Sequence, residues 1–68
     1  MNYCVIDIYT NEIVLDGHDL ETCVDWVINQ VEPLSDGKRI YRTWHEVDGT
    51  IYDIGSRVYK ICHSDRYN

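Results

Sequence analysis

A chain of 68 residues with a formal charge of −6 makes one small domain; at this size only about 60% of the unfolded surface is buried, so self-association or a partner would add stability. No apolar run approaches the length of a bilayer span, Met1-Asn2-Tyr3 lacks the basic start of a secretory leader, and three cysteines are an odd number for a disulfide framework, so we expect a cytoplasmic protein with reduced thiols. Phe and Ala are absent, and six Tyr with two Trp supply all the aromatic surface, the types enriched where proteins meet.

Tyr3–Tyr9 (YCVIDIY) is β-branched and aromatic, the composition of a strand. Alternation would put Cys4, Ile6 and Ile8 on one face, the one expected to receive the helix together with Ile13 and Leu15 of the next strand, and Tyr3, Val5, Asp7 and Tyr9 on the other. Thr10-Asn11 breaks the run, since Asn tolerates the left-handed backbone of a tight turn. Glu12–Asp16 (EIVLD) resumes as a second strand, with Ile13 and Leu15 on one face and Val14 on the other; Asp16-Gly17-His18 then turns the chain. Asp19–Val31 (DLETCVDWVINQV) is the one helix. Its apolar residues Leu20, Cys23, Val24, Val27, Ile28 and Val31 recur at helical spacing, Asp19 is a good N-cap, and Pro33 is expected to stop it.

Glu32–Gly37 (EPLSDG) reads as a loop and Lys38–Val47 (KRIYRTWHEV) as a strand. Asp48-Gly49 is the pair of a type I′ hairpin turn, Thr50–Ile54 returns, Gly55-Ser56 suits a type II′ turn, and Arg57–Cys62 is the last strand. His63–Asn68 is expected to be a frayed polar tail. The order ββαβββ with short connections predicts an α+β fold of two layers, one helix packed on a mainly antiparallel sheet, as a single domain over residues 1–68.

Charge is unevenly placed. Residues 1–36 hold eight acids and no Lys or Arg; residues 37–68 hold six basic residues and four acids, so the halves are −8 and +2. Glu21 and Asp25 lie one turn apart on the outer helix face, flanked by Asp16, Asp19 and Glu32, with none of the i, i+4 cation partners that surface helices commonly carry. Such a row can meet Lys or Arg on a partner; the plainer alternative is a solvated face that aids solubility. Trp26 sits off the apolar stripe with Thr22, Asn29 and Gln30, and serves either as an interface anchor or as cover for a sheet edge. One helix covers one sheet face, and the spare aromatic surface, Tyr9 included, would be covered by a homodimer or by a foreign protein.

Chemistry is poorly supported. Cys4, Cys23 and Cys62 with His18, His45 or His63 show no CxxC or HxxxH spacing for zinc, and Cys4 and Cys23 fall at core positions where free Cys acts as a small hydrophobe. Glu21 and Asp25 sit on a convex helix rather than in a cleft, so no catalytic residue, metal or cofactor is expected. Lys38–Trp44 (KRIYRTW) interleaves cations and aromatics, and Arg39, Tyr41, Arg42 and Trp44 could stack single-stranded bases. The net charge of −6 disfavours nucleic acid as a partner, and no membrane contact is expected.

The opening VIDIYTNEIVLDGHDLETCVDW resembles the strand–turn–strand–capped-helix start of small acidic early bacteriophage proteins, over about a third of the chain. The resemblance implies a short product that binds and inhibits a host protein in the host cytoplasm. The expectation is therefore a non-enzymatic protein-binding module. It would meet a basic host surface, that of a nucleic-acid-binding protein being one candidate, through Asp16, Asp19, Glu21, Asp25, Trp26 and Tyr9. A nucleic-acid binder and a dimeric accessory protein are the alternatives.

Overall fold

One strand is buried on both faces and sets the rest. β1 (Tyr3–Asp7) has Cys4, Val5, Ile6 and Asp7 at 5% exposure or less. A strand covered on both sides has no polar face to alternate with, hence the near-continuous YCVI run. A computed structural model describes residues 2–67, with side chains through Asp65. β2 (Glu12–His18), α1 (Leu20–Asn29), β3 (Arg42–Glu46), β4 (Gly49–Asp53) and β5 (Val58–His63) follow, and a 3-10 turn at Ser64–Tyr67 closes the described chain. The strands form one antiparallel sheet in the order β2-β1-β5-β4-β3, and α1 packs across β1, β5 and β2. This is the two-layer ββαβββ α+β fold that the sequence predicts.

The expected faces of the first hairpin are reversed. Val5, not Cys4 and Ile6, meets the helix, in a core with Cys23, Val27, Tyr59 and Ile61. Cys4, Ile6 and Cys62 form a second cluster on the far side of the sheet. Ile13 and Leu15 also part company, because the register slips at Val14. Leu15 pairs with Val5 on the helix side, and Ile13 pairs with Ile6 on the far side. A second slip falls at Gly17, whose φ of +80° is the left-handed backbone that a bulge of this kind uses.

β1 ends at Asp7, two residues short of the expected Tyr9, because Asp7 builds the turn. Its Oδ1 accepts the N–H groups of Tyr9 (2.9 Å) and Thr10 (3.3 Å), and its carbonyl accepts that of Asn11 at 2.7 Å, with Asn11 at φ 61°. Asp7 Oδ2 also faces Arg57 Nη1 at 3.4 Å.

The helix begins as predicted, with the Asp19 carboxylate accepting the Thr22 N–H at 2.9 Å. It does not run to Val31 but ends at Asn29, four residues before Pro33, which has no N–H to offer the Asn29 carbonyl. Helical bonding stops at Asn29 and tightens, with Gln30 N–H on the Val27 carbonyl and Val31 N–H on that of Ile28, both at 3.0 Å. Arg39 then donates Nη1 to the carbonyls of Ile28 (3.2 Å) and Val31 (3.0 Å), a C-terminal cap delivered from the following loop. Committing Arg39 to the helix end keeps residues 38–41 out of the sheet, so β3 is the short Arg42–Glu46 rather than Lys38–Val47.

The β3–β4 turn is centred on Val47-Asp48, since Glu46 pairs with Gly49, and none of the three residues Val47, Asp48 and Gly49 has a left-handed φ. Gly49 is needed for another reason. A Cβ there would stand 2.5 Å from the Ile61 carbonyl oxygen and 3.1 Å from Cys62 Cβ. The β4–β5 turn does match expectation: Gly55 has φ +91° and Ile54 N–H donates to the Arg57 carbonyl at 3.0 Å. The expected frayed tail is a 3-10 turn through Tyr67, tied by Ser64 N–H to the Asn2 carbonyl at 3.1 Å; Asn68 lies outside the described residues.

Candidate functional site

The residues singled out from the sequence fall in four places. Glu21 and Asp25 share the outer face of α1, exposed, opposite the buried Cys23 and Val27. Asp19 caps the helix one turn before Thr22, and the hydrogen bond from Thr22 holds its carboxyl below the usual range. Glu21 and Asp25 form an acidic stripe on that face, where Glu21 also complements the positive end of the dipole, while Asp19 stands at the helix start on another side. Asp16 lies elsewhere. It pairs with Cys4 on the far face of the sheet, and its Oδ1 accepts the Ser64 hydroxyl proton at 2.7 Å, so it anchors the C-terminal turn.

Trp26 turns inward. Its ring meets Tyr59 edge-on, with centroids 5.4 Å apart and planes at 82°, and it flanks the helix-side core. Trp26 is thus turned toward the core about 100° round the helix from the exposed Asp25. Tyr9 is 64% exposed, in the turn at the sheet end where β1 finishes, away from the helix start that follows β2. The structure thus places Glu21 and Asp25 on one helix face with Asp19 at the start of the same helix, and leaves Asp16, Trp26 and Tyr9 apart from them.

The basic and aromatic stretch is held by internal contacts. Lys38 reaches Asp36 at 4.0 Å, Arg39 caps the helix, and Arg42 Nη2 binds Asp53 Oδ2 at 2.6 Å. Tyr41 leans on Tyr52 on the helix side of the sheet, at 6.1 Å between centroids, whereas Trp44 is 43% exposed on the far side. Arg57 pairs with Asp7, and Lys60, its side chain only 15% exposed, places Nζ 2.5 Å from Asp48 Oδ1. Each of the five cations from Lys38 to Lys60 is thus met by an oxygen of its own chain. Glu21 and Asp25 form no ion pair among the described residues.

Two shallow clefts mark the surface. One of about 290 Å³ lies beside Tyr41, Arg42 and Asp53; another of about 330 Å³ is bordered by Tyr3, Leu20, Val47, Gly49, Cys62 and His63. Tyr3 and His63 stack at 4.5 Å, and the buried His63 Nδ1 has no hydrogen-bond partner among the described residues. Among the described residues no three His, Cys, Asp or Glu side chains stand close enough to share a metal ion, and no helix is long and apolar enough to cross a membrane. Sequence reasoning missed the contact between Cys4 and Cys62, whose Sγ atoms lie 3.6 Å apart. A strand order that seats the last strand beside the first was the missing signal. The chain matches no known family, curated protein or solved structure.

Proposed function

We propose that this chain is a non-enzymatic protein-binding module, a phage-type inhibitor or modulator that works in the host cytoplasm on a host protein with a basic surface. The acidic face of Glu21 and Asp25 on α1, with Asp19 at the helix start, is the contact region in this reading. The observation that carries it is the asymmetry of pairing: cations from Lys38 to Lys60 are met by the chain's own oxygens, while Glu21 and Asp25 project outward without an ion pair among the described residues. A helix face so arranged presents its charge to whatever approaches, and attraction of that kind raises association rates and falls with salt. The commitment of Arg39 and Arg42 to internal partners counts against the alternative of single-stranded nucleic acid, whose phosphates need cations to neutralise them.

The test is capture from host lysate with the tagged chain, followed by affinity measurement on the purified target across salt. Glu21→Lys with Asp25→Lys should weaken binding by more than tenfold while circular dichroism stays unchanged, because both side chains are exposed. Trp26→Ala would not discriminate, since it strips the Tyr59 contact and weakens the fold itself. Unaltered affinity in the charge-reversed variant, or affinity that does not change with salt, would refute this assignment of the face.

A further inference from the structure

Cys4 and Cys62 face each other across β1 and β5, the first and last strands. Their Sγ atoms are 3.6 Å apart, and the residues are 0% and 2% exposed. Hydrogen bonds from Ser64 N–H to the Asn2 carbonyl and from Ile8 N–H to the Val58 carbonyl fix the phase of this ladder. Counting by twos from those rungs makes Cys4 and Cys62 a hydrogen-bonded pair. Such pairs have Cα atoms about 5.5 Å apart, inside the window of about 4.4 to 6.8 Å that a disulfide spans. Cys23 lies across the sheet, in the helix-side core with Val5 and Ile61, so the sheet separates it from both other thiols.

We infer that Cys4 and Cys62 are a disulfide-forming pair that staples the first strand to the last, leaving Cys23 as the free thiol. The oxidant is a small disulfide of the glutathione class. Cys62 borders the 330 Å³ cleft and is the thiol that such a reagent meets first. Its thiolate attacks one sulfur of the oxidant, forming a mixed disulfide and releasing one glutathione thiolate, which takes up a proton. The Cys4 thiolate then attacks Cys62 Sγ and releases the second glutathione. The two cysteines lose two protons and two electrons, and the oxidant becomes two thiols. Burial pushes the Cys4 thiol up to about 12, with the Cys62 hydrogen bond adding to it, so the exchange is slow while the sheet stays closed. The same burial protects the finished bond from reductant. The pair does not depend on the function proposed above.

The experiment uses the whole reduced chain, equilibrated in graded mixtures of reduced and oxidised glutathione, both folded and after release from urea. Samples are quenched in acid, alkylated, and mapped by mass spectrometry. The expected product is lighter by two hydrogens, carries one linked peptide pair containing Cys4 and Cys62, and keeps Cys23 alkylated. Its melting temperature should rise by more than about 10 °C, since the bond closes a ring across nearly the whole domain. Chain entropy alone would favour the shorter Cys4–Cys23 loop, so dominance of the long loop reports the sheet and not chance. Cys23→Ser should give the same linked product. Cys23 inside the dominant disulfide, a reaction that stops at glutathionylated chains, or an unchanged thiol number after passage through urea would each overturn the inference.

Discussion

Asp7→Ala should be among the most damaging single changes in this domain, although Asp7 is neither apolar nor near the acidic stripe. The residue is 5% exposed and its carboxylate has three partners: Tyr9 N–H at 2.9 Å, Thr10 N–H at 3.3 Å and Arg57 Nη1 at 3.4 Å. Hydrogen bonds to a charged group are worth about 1.5–3 kcal/mol each, which would give an excessive total if simply added. Tyr9 and Thr10 are exposed, so their freed N–H groups regain water, and the half-exposed Arg57 does the same. The loss that remains is about 2–3 kcal/mol, mostly the short bond to Tyr9 and the turn it fixes. Domains hold about 0.05–0.15 kcal/mol per residue, so a chain this size has about 3–10 kcal/mol in all. The variant should then melt about 10–20 °C lower.

Asp7→Asn separates the turn from the charge. It keeps an acceptor for the Tyr9 and Thr10 N–H groups and gives up only the ionic part of the Arg57 contact, so its cost should be about 1 kcal/mol. Urea unfolding followed by tryptophan fluorescence measures both variants, with equal slopes expected because the exposed surface is unchanged. The reasoning fails if Asp7→Ala lies within about 0.5 kcal/mol of the parent, the range of an ordinary surface change. It also fails if Asn costs as much as Ala, which would make charge and not turn geometry the source of the effect.

Gly49→Ala should cost about 2–3 kcal/mol by thermal unfolding, because the added Cβ meets the Ile61 carbonyl, a backbone atom that cannot turn aside. Loss of β4–β5 amide protection in hydrogen exchange would locate the damage. Acid should weaken the fold through Asp19 and Asp53, whose carboxyls are held below their ordinary 3.8 by hydrogen bonds from Thr22 and from Arg42 respectively. A lowered folded-state value gives stability that is complete above the unfolded value and drains away as pH falls through the folded one. The melting temperature should therefore fall below about pH 4, and less steeply in Asp19→Asn with Asp53→Asn; identical acid limbs would count against these contacts.

The parts of the fold legible in the sequence were those set by local pattern. The apolar spacing from Leu20 to Val27 and the capping carboxylate of Asp19 placed the helix, and Gly55 placed the second hairpin turn. What local pattern could not supply was the inward face of β1, because YCVI is apolar on both sides and alternation has nothing to read. The slip at Val14 then splits Ile13 from Leu15, which any count by twos assigns to one face. The end of the helix was misread for a different reason. Pro33 is the conspicuous breaker, but the last carbonyls are capped by Arg39, a residue eight positions beyond Val31 that local pattern does not point to. The acidic stripe was legible as composition, whereas the inward turn of Trp26 depended on the position of Tyr59, one strand from the end of the chain.

The charge imbalance of the sequence understates that of the folded surface. A tally by halves suggests that a basic second half partly offsets an acidic first half. Folding alters that offset, because cations of the second half are met by carboxylates or carbonyls beside them: Arg42 by Asp53, Lys60 by Asp48, Arg57 by Asp7, and Arg39 by the end of α1. Three of these four heads meet an acid, so what cancels is mostly local, and Glu21 and Asp25 on the helix are among the acids that form no ion pair among the described residues. Glu21→Lys moves the net charge two units toward positive and should weaken attraction to a basic partner, whereas removal of Arg42 moves it one unit toward negative and should strengthen it. Loss of Arg42 uncovers the Asp53 carboxylate, so the neutral pair becomes one more negative charge, screened beyond about one Debye length of 8 Å at physiological salt. Salt-dependent association rates of Glu21→Lys and Arg42→Ala, measured against one basic partner, should differ accordingly, and equal slopes would mean that the helix stripe has no special reach.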